Sequence, residues 1–363
     1  MAKDLLDKAR KEINEIDRQM AELFVRRMRA AEDVAEYKKE RGLAILDEVR
    51  ENEVIRRNSS LVEDDSLREY YVSFLRNTMA VSRAYQSRLM EGMKVAYSGT
   101  EGAFAHIAAC KLYPTATKIA YGDFSEAYRA VEMGECDIAV LPVENSYNGE
   151  VGQVTDLMFS GSLYVNGMFD LPITQDLLAK DGVDISEIKE VVSHPQAFGQ
   201  CREYIEKHGF RRHEFANTAL AARWVAESYD RSVAAIGSRE AAEIFGLKVI
   251  DHDINESRSN STRFAIFSRT ANKQITKDSG VHSVLLFTVR NEAGALAKAI
   301  DVIGRYGFNM RTLRSRPMKE LLWEYYFYVE VEGDIQSEAG ASLLESLGEF
   351  CDRLKFVGTY IKL

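Results

Sequence analysis

Hydrophobic positions from Met1 to Gly92 recur at helical spacing, in a stretch with no proline and with Gly42 as its sole internal glycine. Helices are predicted to about Arg41, over roughly Asp47 to Asn58, and over roughly Ser66 to Met90. On a wheel turning about 100° per residue from Arg10, Ile13, Ile16, Met20, Leu23, Ala31 and Val34 fall between about 220° and 300°. That stripe is expected to face a buried core. Arg27 and Lys38 fall inside it, at about 260° and 280°. The second helix groups Asp47, Arg50, Glu51 and Val54 on one face. On the third, Leu67, Tyr71, Phe74, Val81, Tyr85 and Leu89 form the stripe, with Ser82 inside it and Gln86 at its edge.

From Lys94 to about Arg269 the period changes. KVAYSG, KIAYG, CDIAVLPVENS, KEVVSH, SVAAIGS and TRFAIFS read as mostly buried strands. DFSEAYRAVEMG, PQAFGQCREYIEKHG and TALAARWVAES read as helices, and the length suits two lobes with a cleft between them. TANKQITKDSG is polar and reads as a linker. From His282 the order HSVLLFTVR, ALAKAIDVIGRYG, NMRTLRSRP, WEYYFYVEVEG, SEAGASLLESLGEF, KFVGTYIKL is β-α-β-β-α-β. The expected fold class is multidomain: an all-α domain over residues 1–91, a two-lobed α/β domain over 94–270, and a ferredoxin-like α+β domain over 281–363.

Composition narrows the function. The chain has 363 residues, 46% hydrophobic and 28% charged, as a globular protein of two or three domains would. It has no run of about 18 apolar residues and no hydrophobic leader in MAKDLLDKARKE, so neither a membrane span nor a secretory signal is expected. Cys110, Cys136, Cys201 and Cys351 are scattered, which suits reduced thiols in the cytoplasm rather than a zinc site. A net charge of −9 argues against nucleic acid as a partner. An anionic small molecule would need a local cluster of cations.

Two readings of the inward cations are open. They form buried ion pairs, Arg27 or Lys38 with Asp47 or Glu51, or they hold an anionic ligand. The second gains weight because cations outnumber anions on these faces, and an unpaired buried charge costs several kcal/mol. Arg10, Arg27, Lys38, Asp47, Arg50, Glu51, Ser82 and Gln86 together resemble, in kind and spacing, the site of the all-helical chorismate mutases. The resemblance implies that Arg10, Arg27 and Arg50 hold the two carboxylates of chorismate. It sets Lys38 and Gln86 at the ether oxygen as the catalytic groups, Asp47 and Glu51 near the ring hydroxyl, and Ser82 near a carboxylate. Arg10 lies roughly 80° around the helix from the other cations. In that family the equivalent arginine comes from a second subunit of an interlocked dimer, so a homodimer is expected.

No dinucleotide, ATP or zinc-protease fingerprint occurs in the α/β segment. Polar residues instead follow its strands: Asn145 and Ser146 after IAVLPVE, Ser193 and His194 after KEVV, and Thr218 after HEFAN. Open α/β sheets bind ligands at those ends, although Ser193-His194-Pro195 and Asn217-Thr218 read equally well as helix caps. Gly99-Thr100-Glu101-Gly102, Glu144-Asn145-Ser146, Ser193-His194-Pro195-Gln196 and Asn260-Ser261-Thr262-Arg263-Phe264, in that order, resemble prephenate dehydratases. The resemblance implies a catalytic role for Thr262, a cleft lined by Asn145, Gln196 and Thr218 with Ser193 and Phe264 as further binding residues, and Arg263 near a substrate carboxylate. Where that family carries hydroxyl residues after Gly102, this chain reads Ala103-Phe104-Ala105.

Glu292-Ala293-Gly294-Ala295-Leu296 opens a helix after a strand, read either as a tight turn or as a ligand site with free backbone amides. The split β-α-β-β-α-β unit resembles the ACT domain, which implies phenylalanine bound through Gly294, Ala295 and Leu296. The second ligand motif of that family is Glu-Ser-Arg-Pro; here it is Arg314-Ser315-Arg316-Pro317, with the first charge reversed. Over the whole chain the resemblance is to bifunctional chorismate mutase–prephenate dehydratases, which implies chorismate and prephenate as substrates, phenylalanine as effector, and no metal or organic cofactor. Two alternatives stay open: arogenate as the second substrate, and a catalytically silent amino-acid-binding regulator.

Overall fold

A computed structural model describes residues 2–257, 259–273, 280–318 and 324–363. Part of the predicted linker (274–279) and the first residue of one predicted strand, Trp323, lie outside the described residues. The chain divides into two compact units, Met1–Met93 and Lys94–Leu363. Among the described residues no helix is long and apolar enough to cross a membrane.

The first unit consists of α1 (Ala2–Arg41), α2 (Glu48–Ser59) and α3 (Asp65–Glu91). Asp47 and Asp64 start α2 and α3 by accepting the backbone N–H of Arg50 and of Ser66, each at 2.9 Å. Gly92, at φ 86°, ends α3. Arg27 bonds Ser82, and five residues later Glu32 bonds Tyr85, so α1 and α3 run parallel. The stripe expected to be core is not covered within one chain. Ala31 and Ala35 are buried, whereas Ile13, Ile16, Met20, Leu23 and Val34 are exposed, Leu23 by 57%. Every residue from Asp4 to Arg27 is in fact exposed. Three helices of one chain do not supply enough surface to cover a 40-residue helix about 60 Å long.

The second unit opens with β1 (Lys94–Ser98), α4 (Phe104–Leu112), β2 (Thr117–Tyr121), α5 (Phe124–Glu132), β3 (Ile138–Asn145), β4 (Gly149–Glu150), α6 (Gly152–Ser160) and β5 (Tyr164–Pro172). The chain then crosses to a second lobe: β6 (Asp176–Ala179), β7 (Glu190–Ser193), α7 (Pro195–Gln200), α8 (Arg202–His208), β8 (Arg211–Glu214), α9 (Thr218–Glu227), β9 (Val233–Gly237), α10 (Arg239–Phe245) and β10 (Lys248–Asp251). It returns as β11 (Ser261–Ser268). The first lobe's sheet has the order β2-β1-β3-β11-β5 with β4 on β3, and the second lobe's β10-β6-β9-β7-β8. The two crossings bond each other: Ile173 N donates to Asn260 O at 2.9 Å, and Ile254 N to Gln175 O at 2.8 Å. The single helix expected over 195–209 is broken at Cys201 (φ −119°, ψ 25°). The break frees the Gln200 carbonyl to accept Glu256 N from the second crossing, at 2.9 Å.

The C-terminal part follows the split order: β12 (Val281–Val289), α11 (Ala295–Arg305), β13 (Asn309–Pro317), β14 (Tyr325–Glu332), α12 (Glu338–Gly348) and β15 (Cys351–Ile361). Its antiparallel sheet has the order β13-β14-β12-β15. Alternation along the strands gives it two apolar faces. Leu285, Phe287, Val329 and Val331 pack under α11 and α12. Val284, Leu286, Tyr326, Tyr328, Val357 and Tyr360 join the core of the first α/β lobe. That shared core makes Lys94–Leu363 one compact unit where the sequence suggests two. The approach is close at Gly358, where a Cβ would lie 2.1 Å from the Val165 carbonyl oxygen. Gly358→Ala is therefore expected to destabilise this unit by about 2–3 kcal/mol, read as a lower denaturant midpoint for its unfolding.

Candidate active sites

In the helical unit, Arg27 donates to the Ser82 hydroxyl and to Thr78 O at 3.4 Å, and partial desolvation of the guanidinium end of this otherwise exposed residue holds its pKa below the ordinary value. Ser82 and Gln86, one turn apart on α3, are both buried. The Gln86 Oε1 atom is buried with no hydrogen-bond partner among the described residues. Lys38 Nζ donates to Ile45 O at 2.5 Å, which brings the end of α1 to the turn before α2. Among the described residues no ion pair joins Arg27 or Lys38 to Asp47 or Glu51, as the first of the two readings required. Asp47 caps α2, Glu51 pairs with Arg83 of α3, and Arg50 pairs with Glu53 at 2.7 Å. Arg10 stands on the exposed half of α1, about 17 residues and 25 Å of helix before Arg27.

In the α/β lobes a cleft of about 490 Å³ opens between the two sheets. Asn145, Gln196, Thr218 and Thr262 all line it. Thr262 and Asn145 are cross-strand partners on β11 and β3. The Asn145 carbonyl accepts Tyr147 N at 3.0 Å and Asn148 N at 2.9 Å, which fixes which way its amide faces. Its Nδ2 then donates to Thr262 Oγ1 at 2.9 Å and to Asn260 Oδ1 at 3.0 Å. Because Thr262 Oγ1 is already an acceptor, its own proton is free to be donated elsewhere.

Three expected binding residues do not line this cleft. Ser193 is fully buried and donates to Ile236 O at 2.6 Å, joining β7 to β9. Phe264 is 1% exposed and belongs to the interior. Arg263, adjacent to Thr262 on its strand, is turned to Asp170 at 2.8 Å, a bond that raises its pKa above the ordinary value. Neighbouring strand residues face opposite ways, so a cleft-facing Thr262 takes Arg263 away from the cleft.

His194, one of the polar residues at the strand ends, also lines the cleft, and Gln175, Gln200, Asn148 and Glu150 join it without a strand-end signal. Gln200 lies one helical turn after Gln196, a same-face spacing that was available in the sequence. Gln175 sits on a lobe crossing and had no such signal. Its Nε2 donates to Gln200 Oε1 at 3.1 Å. His194 caps α7, its Nδ1 accepting Gln196 N at 3.2 Å, and burial lowers its pKa. Ala103 lines the cleft as the cap residue of α4 with no side-chain hydrogen bond, whereas Ala105 is buried behind it.

At the C-terminal sheet, Ser315 lies opposite Phe327 and shares the helix-covered face, where Ala295 and Leu296 also pack. Gly294 is the exposed cap of α11, at φ 86°. Arg316 lies opposite Tyr326 and faces the other way, bonded to Asp156 at 3.1 Å. Pro317 borders a separate cavity of about 500 Å³ against α5 and α6. The residues expected to hold one effector are thus divided between two faces of the sheet.

An all-helical unit followed by a two-lobed α/β cleft and a split α+β sheet defines a class of fused, regulated enzymes. Residues 9–87 match the chorismate mutase type II family, 95–272 prephenate dehydratase, and 283–349 the ACT domain. A bifunctional chorismate mutase/prephenate dehydratase of Neisseria gonorrhoeae is 31% identical over 98% of this chain and 97% of its own length. An arogenate dehydratase/prephenate dehydratase of Arabidopsis thaliana is 31% identical over 89% of this chain and 87% of its own. The structure of a prephenate dehydratase in complex with L-Phe from Arthrobacter aurescens superposes with a TM-score of 0.68 at 27% identity, covering 74% of this chain and 90% of that one. The chain belongs to the bifunctional chorismate mutase/prephenate dehydratase family.

Proposed function

We propose that this protein rearranges chorismate to prephenate in its helical unit and converts prephenate to phenylpyruvate in its α/β cleft, in phenylalanine synthesis and under phenylalanine feedback at the ACT domain. The observation that carries the reading is the Asn145–Thr262 pair at the cleft wall, an oriented hydroxyl with its proton free.

In the cleft, the electron pair of the bond to the departing carboxylate moves into the ring. Carbon dioxide leaves, and the ring hydroxyl departs with the bonding pair as hydroxide. Thr262 donates its hydrogen bond to that oxygen as charge builds on it. Gln196, Gln200, Gln175 and Thr218 orient the substrate. In the helical unit no nucleophile is needed. Arg27, Arg50 and Ser82 hold the carboxylates, Asp47 and Glu51 bind the ring hydroxyl, and Lys38 with Gln86 stabilises the ether oxygen as its bond breaks.

The exposed apolar stripe of α1 supports a homodimer whose second copy covers it and supplies Arg10 to the site. The four free cysteines fit the cytoplasm. A second reading, arogenate as the dehydration substrate, is favoured by Ala103 where the cleft could carry a hydroxyl, and by the Arabidopsis relative. Given chorismate alone, the purified protein is expected to yield phenylpyruvate by mass spectrometry, in an amount that falls when phenylalanine is added. Prephenate accumulating instead would overturn the second step and make arogenate the next substrate to try.

A further inference from the structure

The turn that orients Asn145 carries a charge problem of its own. Glu144 and Glu150 are direct cross-strand partners on β3 and β4, and like charges directly opposite each other destabilise a hairpin. Between them lie Asn145 and the Tyr147–Asn148 turn whose N–H groups fix its amide. The compensating cations come largely from the C-terminal sheet. Arg314 pairs with Glu144, and Arg316 with Glu150 at 3.5 Å and Asp156 at 3.1 Å. Two residues apart on β13, both arginines share one face. Arg263 adds a longer contact to Glu144 at 3.8 Å while holding Asp170 at 2.8 Å. A glutamate at position 314 would place a third carboxylate at this hairpin.

We propose that Arg314 is a positioning residue of the dehydratase. It neutralises Glu144, keeps the β3–β4 hairpin closed, and thereby aims the Asn145 amide at Thr262. β13 is also the strand that bears Ser315 and Arg316, so any displacement of that strand by an effector reaches the cleft through this ion pair. The inference rests on the dehydratase reading of the cleft.

The test uses the full chain with prephenate as substrate, comparing Arg314→Gln, Glu144→Gln and the double variant. Arg314→Gln leaves Glu144 facing Glu150 with one cation fewer. It is expected to lower dehydratase kcat by about tenfold with little change in KM, and to raise the phenylalanine concentration needed for half-inhibition. Glu144→Gln removes the repulsion along with the pair and is expected to stay within about threefold of the parent. The double variant is expected to match Glu144→Gln, recovering most of what Arg314→Gln loses. A merely structural contact would not show that recovery. Chorismate mutase rate and near-ultraviolet circular dichroism report folding in the same samples. Arg314→Gln within twofold of the parent, or a double variant slower than Arg314→Gln, overturns the proposal. Should Arg314→Gln not fold, a tenfold loss in Glu144→Gln overturns it equally. No prephenate turnover by the parent protein would overturn the dehydratase reading instead, so the two failures are distinguishable.

Discussion

Thr262→Ala is expected to lower prephenate turnover by about 10²- to 10³-fold while chorismate is still converted to prephenate at the parent rate. The size follows from what the hydroxyl does. A single preorganised donor at an oxygen that gains negative charge in the transition state accounts for that range. Thr262 is preorganised because Asn145 Nδ2 already donates to its oxygen at 2.9 Å, and Asn145 is itself locked by two backbone N–H groups. The substitution is also mild toward the fold. Asn145 Nδ2 keeps Asn260 Oδ1 at 3.0 Å and Ser261 O at 3.2 Å as acceptors, so no buried donor is orphaned. Thr262→Ser retains the O–H and is expected to keep most of the activity. The measurement is phenylpyruvate formation from prephenate, alongside loss of chorismate. A Thr262→Ala protein that dehydrates prephenate at the parent rate would remove Thr262 from the reaction.

How much of this was legible in the chain varied with the local physics. The three helices of the first unit could be read almost to the residue, because proline is absent and aspartates stand at the starts of α2 and α3. Buried strands such as VAAIG and IAVLP were visible as apolar runs. The strand RRHE is polar and exposed at a sheet edge, so only its end, within HEFAN, was visible. YVNGMFDLP pairs over its whole length with β11, yet an asparagine and a glycine interrupt its pattern. The cleft was legible where a polar residue ended a strand, as at Asn145, or opened a helix, as at Thr218. It was illegible at Gln175, which belongs to a crossing whose place is fixed by the bond from Ile254 N to Gln175 O and the bond from Gln175 N to the Asn255 side chain rather than by any local period. Arg263 and Ser193 sit beside cleft residues in sequence and away from the cleft in space, because strand side chains alternate.

The first helix posed a different difficulty: its apolar pattern was legible, and the surface that covers it was not. An apolar stripe predicts burial, but the sequence does not say whether the covering surface belongs to the same chain. If a second copy covers it, Arg10 of one chain and Lys38 of the other serve one site, and a mixing experiment should reveal it. Arg10→Ala and Lys38→Ala are each expected to lose chorismate mutase activity by at least about 10²-fold, since each removes a charged contact to a reacting dianion. Unfolded and refolded together in equal amounts, half of the resulting dimers would be mixed. A mixed dimer with twofold symmetry has one site carrying both defects and one site carrying neither. Mutase activity is therefore expected to return to about one quarter of the parent value, with dehydratase activity unchanged throughout. If both residues served a site within one chain, every site in every dimer would stay defective, and mixing would restore nothing. That outcome would leave the exposed stripe between Ile13 and Leu23 in need of another covering surface, and would take Arg10 out of the mutase site.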